Sequence, residues 1–356
     1  MTVGRLHLLV PGPLDQYTGG YVYDSRMAAG LRQFGWTVDV HSLEGEFPEG
    51  DQRAEASLAE TLALLPDGAR VLIDGLGMGA LPGTVARHAG RLKILGLVHH
   101  PLADETGIEE KKRAKLEALE REALAVCTGV IATSRFTCER LVAYGLPRAR
   151  LRAVPPGTDP ARLVAGPEPG QPPRLVCVAA LIPRKGHDVL LRALQRIRAV
   201  PWTCTCPGSL DRAPDHSRAV LAQAKAAGLE GRIEFSGECG VRTLDDIYHG
   251  ASIFVLPSWY EGYGMVFAEA LVRGLPVVGT TGGAIPQTVP GSAGFLVPPG
   301  DDVALADALA SLLAGSAGAA RRARLATAAR KYALKLPRWD HSVGLLARSL
   351  LELAPD

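Results

Sequence analysis

The chain of 356 residues carries no surplus of charge of either sign, since 39 basic residues face 37 acidic ones and leave +2. A nucleic-acid binder needs a clustered basic excess, so no nucleic-acid partner is expected. No apolar run approaches the roughly 18–20 residues of a membrane-crossing helix. The opening MTVGRLHLLVPGP lacks the charged-then-apolar pattern of a secretory leader. Cysteine is sparse, at 127, 138, 177, 204, 206 and 239, and Cys204-x-Cys206 is too tight for a zinc knuckle. These thiols sit in apolar runs, which suits buried, reduced sulfur and a cytoplasmic protein. No metal site is expected.

What the chain does have is core material. Its hydrophobic fraction is 47%, and its length is comfortable for two domains. RLHLLV (5–10), WTVDVHSL (36–43), ARVLIDG (69–75), LKILGLV (92–98), GVIATS (129–134) and LRAVPP (151–156) read as strands. Between them, 20–34, 52–65, 78–89, 108–126 and 135–144 carry helical periodicity. Apolar strands alternating with helices predict a parallel sheet covered on both faces. Pro155 to Arg174 then holds seven prolines and three glycines in twenty residues, which predicts an irregular linker. The alternation restarts with LVCVAAL, helix 186–199, WTCTCPG, helix 215–228, RIEFSG, helix 241–250, SIFVLPS, helix 264–273, PVVGT and GFLVPP. The expected fold class is α/β, with two tandem Rossmann-like doubly wound domains at 1–160 and 172–336. A final helix, 338–356, is expected to cross back to the first.

Ligands of open parallel sheets gather outside the carboxyl ends of the strands, so the loops after strands carry the chemistry. In SWYEGYGMVFAEAL, Glu261 falls in a strand-to-helix loop and Glu269 inside the following helix. Gly262 and Gly264 free the backbone amides of that loop, and a helix N-terminus favours phosphate. A carboxylate is repelled by phosphate, so Glu261 is read as a ligand for neutral hydroxyls and Glu269 as a holder of a second diol. The plainer alternatives are an exposed Glu261 and a Glu269 paired with Arg273. Arg184 and Lys185, in VAALIPRKGHDVLL, stand where anionic oxygens would meet a helix start, or are solvated surface charge. Gly19-Gly20, in VPGPLDQYTGGYVYDSRMAAGL, suggest close backbone approach to a ligand or a surface turn. His99 and His100 end the fourth strand and point to opposite sides, so one can face a substrate and shuttle a proton or bond a hydroxyl. Adjacent histidines on an extended chain cannot chelate one ion together. Gly283, in PVVGTTGGAIPQTV, offers free amides to a diphosphate or sugar.

Gly75-x-Gly77-x-x-Ala80 loosely matches a dinucleotide fingerprint, but it lies on the third strand with no acid about 20 residues on. The mixed-sign helix 109–124 reads as a solvated face, and only a weak peripheral membrane contact stays open.

Together, EGYGMVFAEAL, PRKGHDVLL, TGGAIPQTV, the Gly19-Gly20 loop and VHHP resemble family 4 of the retaining glycosyltransferases, which has the GT-B fold of two Rossmann units facing a central cleft. The resemblance spans nearly the whole chain. It implies transfer of a sugar from a nucleotide-diphosphate donor to an acceptor with retained configuration, and with no metal or other cofactor. It places Glu261 on sugar hydroxyls, Glu269 on the ribose diol, and Lys185 and Arg184 on the diphosphate. It sets the amides of Tyr263, Gly264, Gly19 and Gly20 near the phosphates and His99 beside the sugar. The chain departs from the family at Ala179-Ala180, where an arginine is common, and at Gln287, where a glutamate is. The acceptor, whether a small molecule, a glycan or a lipid-linked sugar, is left undetermined, as are the donor's base and the oligomeric state. Competing readings are a nucleotide-sugar epimerase or sugar phosphorylase on the same scaffold, and a noncatalytic nucleotide-sugar-binding protein.

Overall fold

The computed structural model describes residues 3–355. Two compact units emerge from it: Met1–Gly157 with Pro337–Asp356, and Thr158–Leu336.

In the first unit β1 (Gly4–Pro11), α1 (Gly19–Gln33), β2 (Trp36–Leu43), α2 (Gln52–Leu64), β3 (Arg70–Asp74) and the short α3 (Gly75–Met78) follow in order. Next come α4 (Pro82–Ala89), β4 (Lys93–Val98), α5 (Glu110–Ala125), β5 (Gly129–Ala132), α6 (Arg135–Ala143) and β6 (Leu151–Ala153). The strands pair in parallel in the order β2-β1-β3-β4-β5-β6. Alternation along β1 splits the core. Leu6, Leu8 and Val10 pack with Met27 and Leu31 of α1, while Leu9 faces Leu58 and Leu62 of α2. The predicted helix 78–89 is broken after Met78, and the chain re-enters helix with Pro82 in the first turn, where its missing N–H is harmless.

The second unit contains β7 (Arg174–Val176), α7 (His187–Arg196), β8 (Thr203–Pro207), α8 (Pro214–Ala226), β9 (Ile233–Gly237), α9 (Val241–His249) and β10 (Ile253–Val255). It continues with α10 (Met265–Val272), β11 (Val277–Thr280), α11 (Ile285–Thr288), β12 (Gly294–Val297), α12 (Asp302–Leu313) and α13 (Gly315–Ala333). Its sheet runs β12-β11-β10-β7-β8-β9, all parallel. One core holds Trp202, Tyr248, Phe254 and Phe267. Residues 158–173 form no helix or strand and lie along this unit, with the Val164 amide on the Arg273 carbonyl and the Ala165 amide on the His249 carbonyl.

The last helix, α14 (Trp339–Leu353), belongs to the first unit and lays Val343, Leu346 and Leu350 on the core face shared with α1. Helices α12 and α13 have no counterpart among the sequence expectations. Leu305, Leu309 and Leu312 nevertheless repeat at helical spacing and are buried, and Asp301 caps α12 by accepting from the Ala304 amide. No single helix among the described residues is long and apolar enough to cross a membrane.

Candidate functional site

A sheet whose strand order reverses opens a crevice at the carboxyl ends of the two strands flanking the reversal. In the second unit those strands are β7 and β10. The chain leaving β7 makes a short turn, Pro183–Lys185, and the chain leaving β10 runs through Ser258–Gly264 into α10. The Trp259 amide donates to the Arg184 carbonyl at 2.8 Å, which ties the two loops together.

Their side chains form one cluster. Lys185 Nζ and Ser258 Oγ each donate to Glu261 Oε1 at 2.6 Å. Arg184 Nη1 stands 3.5 Å from Glu261 Oε2 and donates to the Tyr260 carbonyl at 3.0 Å. The Glu261 side chain is only 8% exposed, so the alternative of a solvent-exposed glutamate does not hold, and its partners here are cations and a hydroxyl rather than neutral hydroxyls alone. Burial pushes its carboxyl up, but Lys185, Arg184 and the hydrogen bonds outweigh that and hold it below the ordinary range. It is a carboxylate at neutral pH. Lys185 and Arg184 are likewise mostly buried, which removes the reading of solvated surface charge.

Two glycines make the loop. Gly264, at φ +82°, is the N-cap of α10. Gly283, at φ +61°, passes so close under the glutamate that a Cβ would lie 2.3 Å from the Glu261 carbonyl oxygen, which accepts the Ala284 amide at 2.8 Å. Gly283 therefore supports Glu261. Tyr263 is fixed through its carbonyl, which accepts from Thr288 Oγ1 at 2.8 Å, and Gly262 lies half-buried between the two anchored residues.

One helical turn on, Glu269 accepts from the buried Tyr248 hydroxyl at 3.2 Å. Burial raises the Glu269 carboxyl, with Arg273 and Tyr248 opposing. The Glu269–Arg273 pairing does not form through the carboxylate. Arg273 gives Nη1 to the Glu269 main-chain oxygen at 3.1 Å and Nη2 to Asp245 at 3.0 Å, with its guanidinium 4.4 Å from the Tyr248 ring centre.

In the first unit the reversal lies between β1 and β3. Gly19 and Gly20 are the first two residues of α1 rather than a loop before it, because Thr18 is extended and serves as the N-cap. Beside them His99 Nε2 lies 3.1 Å from Asp24 Oδ1 and 3.8 Å from Asp74 Oδ2, whereas His100 Nε2 turns to Glu105 at 3.5 Å. Burial lowers the affinity of His99 for its second proton, but the carboxylates of Asp24 and Asp74 reverse this and raise its pKa to about 9. The surroundings of His99 thus favour the protonated ring near neutral pH. Burial raises Asp74 to about 7, with His99 opposing and Asp24 reinforcing. Among the described residues, Asp24, Asp74 and His99 form the one group of metal-ligating types within 4.8 Å of one another. The 3.1 Å contact is a hydrogen bond between members, and we assign no metal ligand.

Several contributors were not singled out from sequence. Asp24 is a lone carboxylate in the apolar stripe of Tyr23, Met27, Ala28 and Leu31, a legible signal. Asp74 ends an apolar strand and caps α3 through the Leu76 amide at 2.8 Å, which occupies the region of the loose dinucleotide match. Ser258 and Tyr248 carry no sequence signal. Glu120, inside the helix read as a solvated face, is fully buried and raised to about 8 by burial, with Oε2 accepting the Leu102 amide at 3.0 Å. Four cysteines are buried, but Cys138 and Cys239 are only partly so.

Two parallel six-stranded sheets in tandem, each with loops gathered at a strand-order reversal, define the architecture of GT-B glycosyltransferases. It matches the sucrose-phosphate synthase of Thermosynechococcus elongatus over 98% of this chain and 99% of that one, at TM-score 0.81 and 21% identity. It also matches Anabaena HepE, solved with UDP and glucose, over 97% and 98% of the two chains at TM-score 0.76 and 17% identity. The family model for glycosyl transferases group 1 matches residues 172–315, and that for glycosyltransferase family 4 matches 71–162. The chain is 29% identical to a GDP-mannose-dependent alpha-(1-6)-phosphatidylinositol monomannoside mannosyltransferase of Mycolicibacterium smegmatis, over 76% of this chain and 73% of the relative. It is 31% identical to a D-inositol 3-phosphate glycosyltransferase of Xylanimonas cellulosilytica over 64% of this chain, which spans little over half, 57%, of that relative. The chain is thus similar to glycosyltransferases of group 1 over its second unit and of family 4 over part of its first.

Proposed function

We propose that the chain transfers a sugar from a nucleotide-diphosphate donor to an acceptor hydroxyl with retention of anomeric configuration. In this reading the unit Thr158–Leu336 grips the donor, and the unit of Met1–Gly157 with Pro337–Asp356 receives the acceptor. The carrying observation is the buried Lys185–Glu261–Arg184 cluster at the strand-order reversal of the second unit. A diphosphate arriving there competes with Glu261 for Lys185, because it offers more negative charge and several acceptor oxygens. The released carboxylate then accepts from sugar hydroxyls. Glu269, steadied by Tyr248, is assigned the ribose diol. The amides of Gly262, Tyr263 and Gly264 and the turn at Gly283 are assigned to the donor, as are those of Gly19 and Gly20. His99 is assigned to the sugar.

In the reaction the acceptor oxygen bonds to the anomeric carbon. The bond from that carbon to the phosphate oxygen breaks, and the phosphate leaves with the electron pair and takes the acceptor's proton. Catalysis is then positioning and stabilisation of the charge growing on the diphosphate, the part given to Lys185 and Arg184. No resident cofactor is invoked, because the donor is a substrate. The test is incubation with radiolabelled UDP-, GDP- and ADP-sugars and a mixed acceptor pool. A labelled product that needs acceptor supports transfer. Binding without turnover, or release of free sugar phosphate, contradicts it.

A further inference from the structure

Asp24 has no exposed surface and sits among apolar side chains of α1. A buried carboxylate is tolerated only where partners offset its lost hydration. Its Oδ1 has His99 Nε2 at 3.1 Å, and its Oδ2 has no hydrogen-bond partner. Asp74 brings Oδ2 to 3.8 Å from the same nitrogen. Two acids from separate elements, α1 and the end of β3, thus converge on one ring nitrogen. Carboxylates accept, so this nitrogen carries its hydrogen and faces inward.

The ring is held from other sides as well. Its Cδ2 lies 3.3 Å from where a Cβ of Gly20 would be, so a side chain there would press on the ring by a few tenths of an ångström. Tyr23 stands edge-on at 5.3 Å between ring centres, with its hydroxyl donated to the Val154 carbonyl at 3.0 Å. After β5, Thr133 Oγ1 donates to the His99 carbonyl at 3.0 Å. The titratable groups facing the ring are therefore Tyr23 and Asp24 from α1 and Asp74 from β3, and Thr133 does not titrate. No described protein group takes Nδ1.

We propose that Asp24 and Asp74 are positioning residues that keep His99 an imidazolium and aim its Nδ1–H, as a fixed donor rather than a base, at an oxygen of the substrate. This rests on the reading above only for the place of His99 in sugar transfer, not for its protonation. A cation beside the start of α1 adds to that helix's own positive end, which favours an electron-rich oxygen.

The test is ring NMR of histidine-labelled protein across pH 5–10, with wild type, Asp24→Asn and Asp24→Glu, alongside the pH dependence of kcat/KM. In wild type His99 keeps both ring hydrogens past pH 8. In Asp24→Asn its titration moves down by about one pH unit or more, a tenfold loss of proton affinity. The alkaline fall of kcat/KM moves down with it, and Asp24→Glu restores part of both. Should Asp24→Asn not fold, Asp74→Asn is read in the same way. An ordinary titration near 6.5 in wild type overturns the proposal, as does an alkaline limb that ignores Asp24→Asn. So does a neutral His99 whose signals broaden with added Mn2+, which would make the cluster a cation site. Failure to transfer any sugar contradicts the proposed function while the NMR result still decides this one.

Discussion

Replacing Lys185 by methionine separates folding from chemistry at the proposed donor site. The lysine gives its ammonium to a carboxylate whose side chain is 8% exposed, at 2.6 Å. Removing one member of such a buried pair leaves an uncompensated charge, which costs about 3–5 kcal/mol. Arg184 and Ser258 remain on Glu261, so the loss should lie near the low end, about 3 kcal/mol. For a unit of this size that lowers Tm by roughly 6–12 °C. Turnover should fall further than stability alone explains, by about 10²–10³, because the charge developing on the leaving diphosphate loses a stabiliser. The double variant Lys185→Met with Glu261→Gln removes both charges and should regain most of the lost Tm while staying inactive. Calorimetry and transfer kinetics on the four members of this cycle measure both quantities. A single variant of wild-type stability, or a double variant within tenfold of wild-type turnover, refutes the reasoning.

Other outcomes follow from neighbouring geometry. Tyr248→Phe removes the 3.2 Å bond to Glu269, so donor KM should rise two- to tenfold for a loss of about 0.5–1.5 kcal/mol, with kcat little changed. Gly283→Ala forces a Cβ against the Glu261 carbonyl at positive φ, so denaturant titration should show a loss of at least about 1–3 kcal/mol, together with weakened donor binding in calorimetry. Glu261 is held below its ordinary pKa of 4.5 in the folded protein. Its contribution to stability is thus fully present above about pH 4.5 and lost as pH falls through the lower folded value, so Glu261→Gln should flatten that part of the acid unfolding curve.

Both sheets were legible because a parallel strand covered on both faces is written as a short apolar run, as in RVLID and VVGT. The loops after strands were legible through glycines and charges that a plain connection does not need. What escaped notice was what depends on three-dimensional meeting. Local spacing does not tell that Asp24 and Asp74, 50 residues apart in the chain, share one ring nitrogen of His99. Nor does it tell that the ammonium of Lys185 rests on Glu261. The solvated reading of α5 failed at Glu120 for a related reason, since a helix can be charged overall and still turn one carboxylate inward beside Leu116 and Leu124. Helix α13 is rich in alanine, and its few large apolar residues leave a thin stripe.

The central claim is that the Lys185–Glu261 pair opens to take a nucleotide-diphosphate sugar. A crystal structure of the chain soaked with UDP-, GDP- and ADP-sugars tests it directly. The expected result is Lys185 Nζ on diphosphate oxygens, Glu261 on sugar hydroxyls and Glu269 on the ribose. A nucleotide bound elsewhere, with Lys185 still seated on Glu261, would contradict it.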